Sequence, residues 1–239
     1  MTLTRPAVIF DLDGTLVDPA GGITGGIALA LTEAGLPVPE ETALQAMVGP
    51  RLSHALQEFA GVPADRVEEV IAAYRRHYRS AGMAASLVYP GIRELLERLR
   101  TQGFAVAVAT QKPRTLARDL LALHGLADAF DTIQGSSDDE TLASAEGRPL
   151  GKREIVAAAL AELGTDTAMM VGDRYQDVEG ASANGLDCVG VSWGFALPGE
   201  LEQAGAVAVV DSAQELFEQL NGTRRSEGAV VEGADHGRI

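Results

Sequence analysis

The chain has 239 residues, 46% hydrophobic and 22% charged, a composition typical of globular rather than disordered proteins. Its 34 acidic and 19 basic side chains give a formal net charge of −15, which argues against a nucleic-acid-binding surface. No apolar stretch is long enough for a membrane span, and the first residues lack the pattern of a signal peptide. Cys188 is the only cysteine, so an intrachain disulfide is excluded. These features favour a cytoplasmic protein without nucleic-acid or membrane partners.

Short apolar runs alternate along the chain with segments of helical spacing. The runs begin with "AVIF" and "GFAVAVAT" and continue with "DTIQG", "AMMVGD", "DCVGVSWG" and "AVAVV". Segments between them, such as "PGIRELLERLRTQ" and "KREIVAAALAELG", have the apolar periodicity of helices. This alternation predicts an α/β fold, with a doubly wound (Rossmann-like) parallel sheet covered by helices on both faces.

One long segment interrupts the alternation. Residues 18–86 contain several helical patterns separated by Gly and Pro. We therefore predict a core domain formed by residues 1–17 and 87–220, with an inserted all-helical cap domain formed by residues 18–86. Residues 221–239 are Gly-rich and polar, which predicts a poorly ordered tail.

Polar side chains stand where three of the apolar runs end. Asp11 and Asp13 follow the first run, Thr110 ends the second, and Asp173 and Asp177 end or follow "AMMVGD". In doubly wound sheets, ligands bind at the carboxyl ends of the strands, so one crevice is expected to collect these residues. Carboxylates that converge from separate segments are ligands for a hard cation, and an oxygen-only set suits Mg²⁺. Such a cation would also relieve the repulsion between neighbouring carboxylates.

Lysine is rare in this chain, which has seventeen Arg and only two Lys. Lys112 lies just after the second strand, and Lys152 lies at the start of a predicted helix. An ammonium group is a compact charge that suits an oxyanion and a carboxylate together, so we expect at least one of the two to be functional. Lys112 is interpreted as a solvated loop residue, which is the commoner situation for a lysine after a strand.

Four segments of the chain together resemble the motifs of a known superfamily. These are "DLDGT", "AT" with Thr110, "GKREIV" with Lys152, and "GDRYQD". They occur in the order of the four motifs of the haloacid dehalogenase-like superfamily, and the helical insert resembles the small cap of its phosphoglycolate-phosphatase-like members. The resemblance covers nearly the whole chain to about residue 220.

The resemblance implies a Mg²⁺-dependent phosphomonoester hydrolase that acts on a small phosphorylated metabolite, with phosphoglycolate as the first candidate. Asp11 would attack phosphorus and form an aspartyl-phosphate. Asp13 would protonate the leaving oxygen and then activate the water that hydrolyses the intermediate. Thr110 would hydrogen-bond the phosphoryl group, and Lys152 would neutralise Asp11 and the phosphate. The implied ligands of Mg²⁺ are Asp11, Asp13 through its backbone carbonyl, Asp173, and Asp177 in support.

Substrate binding is where the chain departs from its relatives. Many relatives have Asn after the threonine of the second motif, whereas this chain has Gln111, a candidate substrate contact. In the predicted cap, Arg51 is a candidate for binding a substrate carboxylate or second phosphate through a bidentate contact. His54, three residues later, is favoured as a helix-surface residue. Residues 135–151 resemble a loop of nucleotidase-like members, which keeps a nucleoside 5′-monophosphate phosphatase as the alternative.

Two further function classes stay open. A 2-haloacid dehalogenase shares the fold and the nucleophile, but the dehalogenases lack the second aspartate, so Asp13 argues against that activity. A non-catalytic protein that binds phosphorylated metabolites would have no need to keep Asp11, Asp13, Lys152 and Asp173 intact. Monomer and homodimer are both compatible with the sequence.

Overall fold

The structure is a computed structural model that describes residues 5–137 and 151–232, with side chains described as far as residue 222. Its strands are β1 (Ala7–Phe10), β2 (Val17–Asp18), β3 (Leu87–Val88), β4 (Ala105–Pro113), β5 (Thr132–Ser136), β6 (Met169–Gly172), β7 (Asp187–Val191) and β8 (Ala208–Val210). Its helices are α1 (Gly22–Glu33), α2 (Glu41–Ala46), α3 (Leu52–Ala60), α4 (Val67–His77), α5 (Met83–Ala85), α6 (Ile92–Thr101), α7 (Arg114–Leu123), α8 (Lys152–Leu163), α9 (Tyr175–Ser182), α10 (Glu200–Ala204) and α11 (Ala213–Glu232). Single turns of 3₁₀ helix lie at Ala64–Arg66 and Ala127–Ala129, and a π-helical turn, Tyr78–Gly82, joins α4 to α5.

Six parallel strands of the described chain form one sheet, in the order β5-β4-β1-β6-β7-β8. Strand β1 is central, and Phe10 pairs with Val108 of β4 on one side and Val171 of β6 on the other. The chain first extends the sheet from β1 through β4 to β5, and then crosses over to add β6, β7 and β8. The strand order therefore reverses at β1, and the carboxyl ends of β1, β4 and β6 border the crevice where such sheets bind ligands. The predicted α/β fold with a Rossmann-like parallel sheet is confirmed.

The two faces of the sheet are covered by different helices. Successive side chains of β1 point to opposite faces, as strand geometry requires. Val8 and Phe10 belong to a core cluster that includes apolar residues of α6, α7 and α11, whereas Ile9 packs with residues of α8 and α9. On the α8 face, β4 contributes only the small side chains of Ala107 and Ala109, which lets the start of α8 lie close to the strand.

Helices α1 to α5 all lie between β2 and β3. These two short strands pair antiparallel, with Val17 opposite Val88, so the two connections of the helical insert run side by side. We call residues 18–86 the cap segment, after the sequence prediction, and the remaining described residues the core. Within the cap segment, the rings of Tyr74 and Tyr78 are buried and stacked, with centroids 5.6 Å apart.

Two predicted boundaries differ from the structure. Strand β4 continues to Pro113, although the sequence places its end at Thr110. The regular pairing with β5 nevertheless ends at Thr110, opposite Gly135, and the register shifts before Pro113. Helix α11 continues to Glu232, so the backbone of residues 221–232 is helical where a poorly ordered tail is predicted. Adding residues to an existing helix is easier than starting one, and α11 is already anchored in the core through Leu216 and Phe217.

Two segments named in the sequence analysis fall partly outside the described residues. They are residues 138–150 of the nucleotidase-like loop and residues 233–239 of the predicted tail. None of the described helices is both long enough and apolar enough to cross a membrane.

Candidate active site

Asp11 lies at the centre of the crevice. It directly follows β1, and its backbone amide donates a hydrogen bond to the Val171 carbonyl of β6 at 2.9 Å. Its buried carboxylate accepts a hydrogen bond from Lys152, with 2.5 Å between Nζ and Oδ1. Lys152 Nζ also donates to the Ala109 carbonyl of β4 at 2.9 Å. A buried ammonium and a buried carboxylate thus meet at the carboxyl ends of adjacent strands.

Lys152 reaches this position because α9 leaves space for its stem. A Cβ atom at Gly180 of α9 would collide with Lys152 Cγ. The ammonium also forms an ion pair with Asp177, with 2.6 Å between Nζ and Oδ1. Burial alone would lower the pKa of Lys152, but the charges of Asp11 and Asp177 outweigh burial and raise this pKa. Lys152 therefore remains charged.

Asp11, Asp173 and Asp177 form what we call the acidic cluster. All three are buried, and one carboxylate oxygen from each lies within 4.8 Å of the others. Burial, followed by the charges of Asp177 and Asp11, raises the pKa of Asp173 well above its usual value. Burial also raises the pKa of Asp177 to about 6, although Lys152 acts in the opposite direction. Three carboxylates against one ammonium leave an excess of buried negative charge, so the charge and the oxygen donors both fit a hard divalent cation such as Mg²⁺.

The carboxylate of Asp173 is fixed by two donors. Thr15 Oγ1 donates to Oδ1 at 2.9 Å, and the Phe195 backbone amide donates to Oδ2 at 2.9 Å. Thr15 had no assigned role in the sequence analysis, although its hydroxyl within "DLDGT" was the available signal. Asp177 is held differently, because its Oδ2 accepts the Arg174 backbone amide at 3.0 Å at the start of α9.

Gly14 provides the space that Asp173 occupies. Its φ is +90°, and an added Cβ would collide with the Asp173 carboxylate. We expect Gly14→Ala to displace that carboxylate and to weaken the stabilisation of the protein by Mg²⁺, measured as the shift in melting temperature on adding MgCl₂. Gly103→Ala is the matched control, because Gly103 has a φ of +82° with open space at its Cβ. Both variants should lose about 1–2 kcal/mol from the left-handed backbone, whereas only Gly14→Ala should lose the Mg²⁺ response. Equal Mg²⁺ responses in the two variants would contradict this prediction.

Asp13 lies apart from the acidic cluster. Its Oδ2 accepts a hydrogen bond from Lys112 Nζ at 2.6 Å, while its buried Oδ1 has no hydrogen-bond partner among the described residues. Burial raises the pKa of Asp13, and Lys112 opposes that increase. The Asp13 side chain is thus directed to Lys112 rather than to the cluster, so its expected role as a metal ligand would fall to the backbone carbonyl.

The interpretation of Lys112 as a solvated loop residue is wrong. Lys112 is only 9% exposed, because β4 continues past Thr110 and carries it under the cap segment. Its ammonium lies 4.5 Å from the ring centre of Tyr78 and forms an ion pair with Asp13. Burial alone would lower the pKa of Lys112, but the charge of Asp13 raises it. The scarcity of lysine in the sequence was the signal that pointed to both Lys112 and Lys152.

A cleft between the core and the cap segment is lined by several of the residues described above. The core lines it with Asp11, Asp13, Thr110, Gln111 and Lys112, and the cap segment adds Arg51 and Tyr74 among others. The structure thus brings the candidate catalytic aspartates together with both candidate substrate contacts. Lys152 is linked to this set by its ion pair with Asp11. Asp173 and Asp177 each have a carboxylate oxygen within 4.8 Å of one of Asp11.

His54 does not belong to the cleft lining. Its side chain is 68% exposed, and its Nε2 lies 2.5 Å from Oε2 of Glu58, one turn later on α3. The prediction that His54 is a helix-surface residue is confirmed.

Comparisons with known proteins agree with the fold. Among curated proteins, the chain is 39% identical over 217 residues to "Tyrosine-protein kinase PtkA" of Mycobacterium tuberculosis, which covers 89% of this chain and 72% of that protein. It is 36% identical over 201 residues to a 5′-nucleotidase of Pseudomonas aeruginosa, covering 83% of this chain and 88% of the relative. It is 34% identical over 223 residues to a phosphoglycolate phosphatase of Rhodospirillum rubrum, covering 90% of each.

The solved structures include one similar over almost its whole length. This is a "predicted phosphatase" from Clostridium acetobutylicum, with a TM-score of 0.82 and 35% sequence identity, covering 91% of this chain and 99% of that one. The family model described as haloacid dehalogenase-like hydrolase matches residues 8–191, which extend from the second residue of β1 to the end of β7. The chain therefore belongs to the haloacid dehalogenase-like hydrolase family.

Proposed function

We propose that the chain is a phosphomonoester hydrolase that transfers the phosphoryl group of a small cytoplasmic metabolite first to Asp11 and then to water. The observation that carries this proposal is the arrangement of two buried aspartates in one cleft, each paired with a lysine. Lys152 Nζ lies 2.5 Å from Asp11 Oδ1, and Lys112 Nζ lies 2.6 Å from Asp13 Oδ2. One carboxylate is held as a nucleophile next to a second that can exchange a proton.

In the proposed first step, Asp11 attacks phosphorus as the bond from phosphorus to the ester oxygen breaks. Lys152 contacts Asp11 Oδ1, which leaves Oδ2 to attack. Asp13 gives a proton through Oδ1 to the leaving oxygen, so the alcohol departs neutral. In the second step, Asp13 takes a proton from the water that attacks the aspartyl-phosphate, and inorganic phosphate leaves. A covalent carboxylate intermediate divides one difficult displacement into two easier ones.

Charge on the transferring group needs neutralisation. Asp11, Asp173 and the Asp13 carbonyl, with Asp177 in support, would hold Mg²⁺, which would offset the negative charge on the phosphoryl oxygens. Thr110 Oγ1 accepts a hydrogen bond from the Lys112 backbone amide at 3.1 Å. The hydroxyl proton of Thr110 is therefore available to a phosphoryl oxygen.

For the substrate, we propose phosphoglycolate first and a nucleoside 5′-monophosphate second. Arg51 lines the cleft with a guanidinium group, which suits a carboxylate as second anionic group, and Gln111 offers an amide. The Rhodospirillum rubrum relative bears the name phosphoglycolate phosphatase. Met47 and Tyr74 give the cleft an apolar wall that suits a nucleobase, and the Pseudomonas aeruginosa relative bears the name 5′-nucleotidase. These two observations support the second candidate.

We expect the purified protein to release phosphate from p-nitrophenyl phosphate in Mg²⁺ buffer. Removing divalent cations with EDTA should lower the rate by about 10²-fold or more, and added MgCl₂ should restore it. A panel of phosphoglycolate, sugar phosphates and nucleoside monophosphates, assayed for phosphate release, identifies the substrate class.

Other outcomes would replace the proposal. Absence of phosphate release across the whole panel would overturn it, and binding without turnover would favour a non-catalytic role. Chloride release from chloroacetate without added metal would favour a dehalogenase. Phosphoryl transfer from ATP to a tyrosine peptide, with no phosphate release from the panel, would favour the activity named for the Mycobacterium tuberculosis relative.

A further inference from the structure

The side chain of Arg174 connects the acidic cluster to the cap segment. Arg174 directly follows Asp173, and its backbone amide donates to Asp177. Its side chain leaves the core, and Nη1 donates a hydrogen bond to the Val48 carbonyl at 2.7 Å. Val48 lies between α2 and α3, and its two chain neighbours, Met47 and Gly49, line the cleft. Because this bond is buried, water competes with it less than with an exposed one.

Glu200, the first residue of α10, fixes the same guanidinium group from the core. Its Oε1 accepts hydrogen bonds from Arg174 Nε at 2.9 Å and from the Tyr175 backbone amide at 3.0 Å. Its Oε2 accepts the Leu197 backbone amide at 3.0 Å. The carboxylate is therefore anchored by two backbone amides, and it holds Arg174 in one orientation.

The segment that receives Arg174 leads directly into the cleft. Gly49, Pro50, Arg51 and Leu52 all line the cleft. Gly49 has a φ of +103°, and an added Cβ would lie 3.2 Å from Arg174 Cγ, so this glycine lets the segment pack against the arginine stem. The part of the cap segment that faces Asp11 and Asp13 is thus tied to the residue after Asp173.

We propose that Arg174, held by Glu200, is a positioning residue that fixes residues 48–52, and with them Arg51, relative to Asp11. Its kinetic consequence rests on the proposed function, whereas its structural consequence does not. Without the bond to Val48, residues 48–52 lose their fixed place, and contacts to the part of the substrate beyond the phosphate weaken. The groups that act on phosphorus keep their own partners, so KM is expected to change more than kcat.

Arg174→Lys tests this idea without leaving Glu200 unpaired. A lysine ammonium can reach Glu200, but it lacks the planar fork that contacts Glu200 and Val48 at once. We expect hydrogen exchange of peptides covering residues 47–56 to become faster by about 10-fold, the effect of losing one hydrogen bond to a charged group. Peptides from α8 and β6 should exchange at the wild-type rate. KM for p-nitrophenyl phosphate should rise by a similar factor of about 10, while kcat stays within about twofold.

Arg66→Lys is the matched control within the cap segment. Arg66 also pairs with a glutamate, Glu69, and donates to a backbone carbonyl, that of Ala34 at 2.9 Å, but it does not line the cleft. Arg66→Lys should leave both the hydrogen exchange of residues 47–56 and the KM unchanged. Glu200→Gln should also make the hydrogen exchange of residues 47–56 faster and raise KM, because Arg174 loses the carboxylate that holds its guanidinium group.

Wild-type exchange of residues 47–56 in both Arg174→Lys and Glu200→Gln would overturn the proposal. Faster exchange with KM unchanged, or with a fall confined to kcat, would overturn the link between this segment and substrate binding. If the wild-type protein releases no phosphate from any substrate, the proposed function fails, whereas the exchange measurement still decides whether Arg174 positions the segment.

Discussion

Asp11→Asn is expected to abolish phosphate release from p-nitrophenyl phosphate, with kcat lowered by about 10³-fold or more. Asparagine has nearly the same size and shape, but its amide oxygen is a poor nucleophile toward phosphorus. The substitution also removes the negative charge that pairs with Lys152 Nζ at 2.5 Å. Initial rates at saturating substrate in Mg²⁺ buffer measure the effect.

Asp187→Asn makes the same chemical change at an exposed position, the first residue of β7, and should keep the wild-type rate.

The thermal stability of Asp11→Asn should distinguish loss of chemistry from loss of fold. Asp11 lies next to two other buried carboxylates, so removing its charge relieves repulsion within the acidic cluster. We therefore expect Asp11→Asn to stay folded at the assay temperature, as checked by thermal unfolding. A folded variant with a rate within about tenfold of wild type would rule out Asp11 as the nucleophile.

Lys152→Met is expected to lower the free energy of unfolding by about 3–5 kcal/mol in the absence of divalent cations. Methionine replaces the aliphatic stem but not the ammonium, which lies within 2.6 Å of both Asp11 and Asp177. Two buried carboxylates then lose their counter-charge, and this costs far more than losing an exposed ion pair. Urea unfolding in EDTA gives the free energy, and the same variant should also lose phosphate release.

Arg153→Met is the control for this change, because Arg153 is the next residue of α8 and its side chain is exposed. It should change the free energy of unfolding by no more than about 0.5 kcal/mol. Mg²⁺ should restore part of the stability lost in Lys152→Met, since a cation bound by the acidic cluster supplies positive charge at the same place. A loss no larger than that of Arg153→Met would mean that Asp11 and Asp177 do not depend on Lys152 for their charge balance.

The sheet was predictable because its strands are buried on both faces. Such strands are short continuous apolar runs, and the polar residue that ends a run marks the edge where ligands bind. Asp11 and Asp173 directly follow β1 and β6, and Thr110 is the last regularly paired residue of β4. These three candidate site residues could thus be named from their positions along the chain.

The partners of these residues were not predictable in the same way. Whether Lys112 is solvated or buried depends on how far β4 continues and on what covers it, and Tyr78 comes from a distant part of the chain. The bond from Arg174 to Val48 joins residues 126 positions apart, and no local pattern records it. Helix α11 continued beyond its predicted end for a related reason, since its start is held by tertiary packing.

The central place of β1 in the sheet also constrains how the protein is made. Ala7 pairs with Ala105 and Val8 with Met169, so β1 is synthesised well before the two strands that pair with it. Helices α1 to α5 contact one another over short sequence distances and can assemble in the meantime. In a chain that stops before β6, one edge of β1 has no strand to hydrogen-bond with. An open, apolar strand edge promotes aggregation. Proteins shortened from the carboxyl end past β6 should therefore accumulate as aggregates rather than as smaller folded domains.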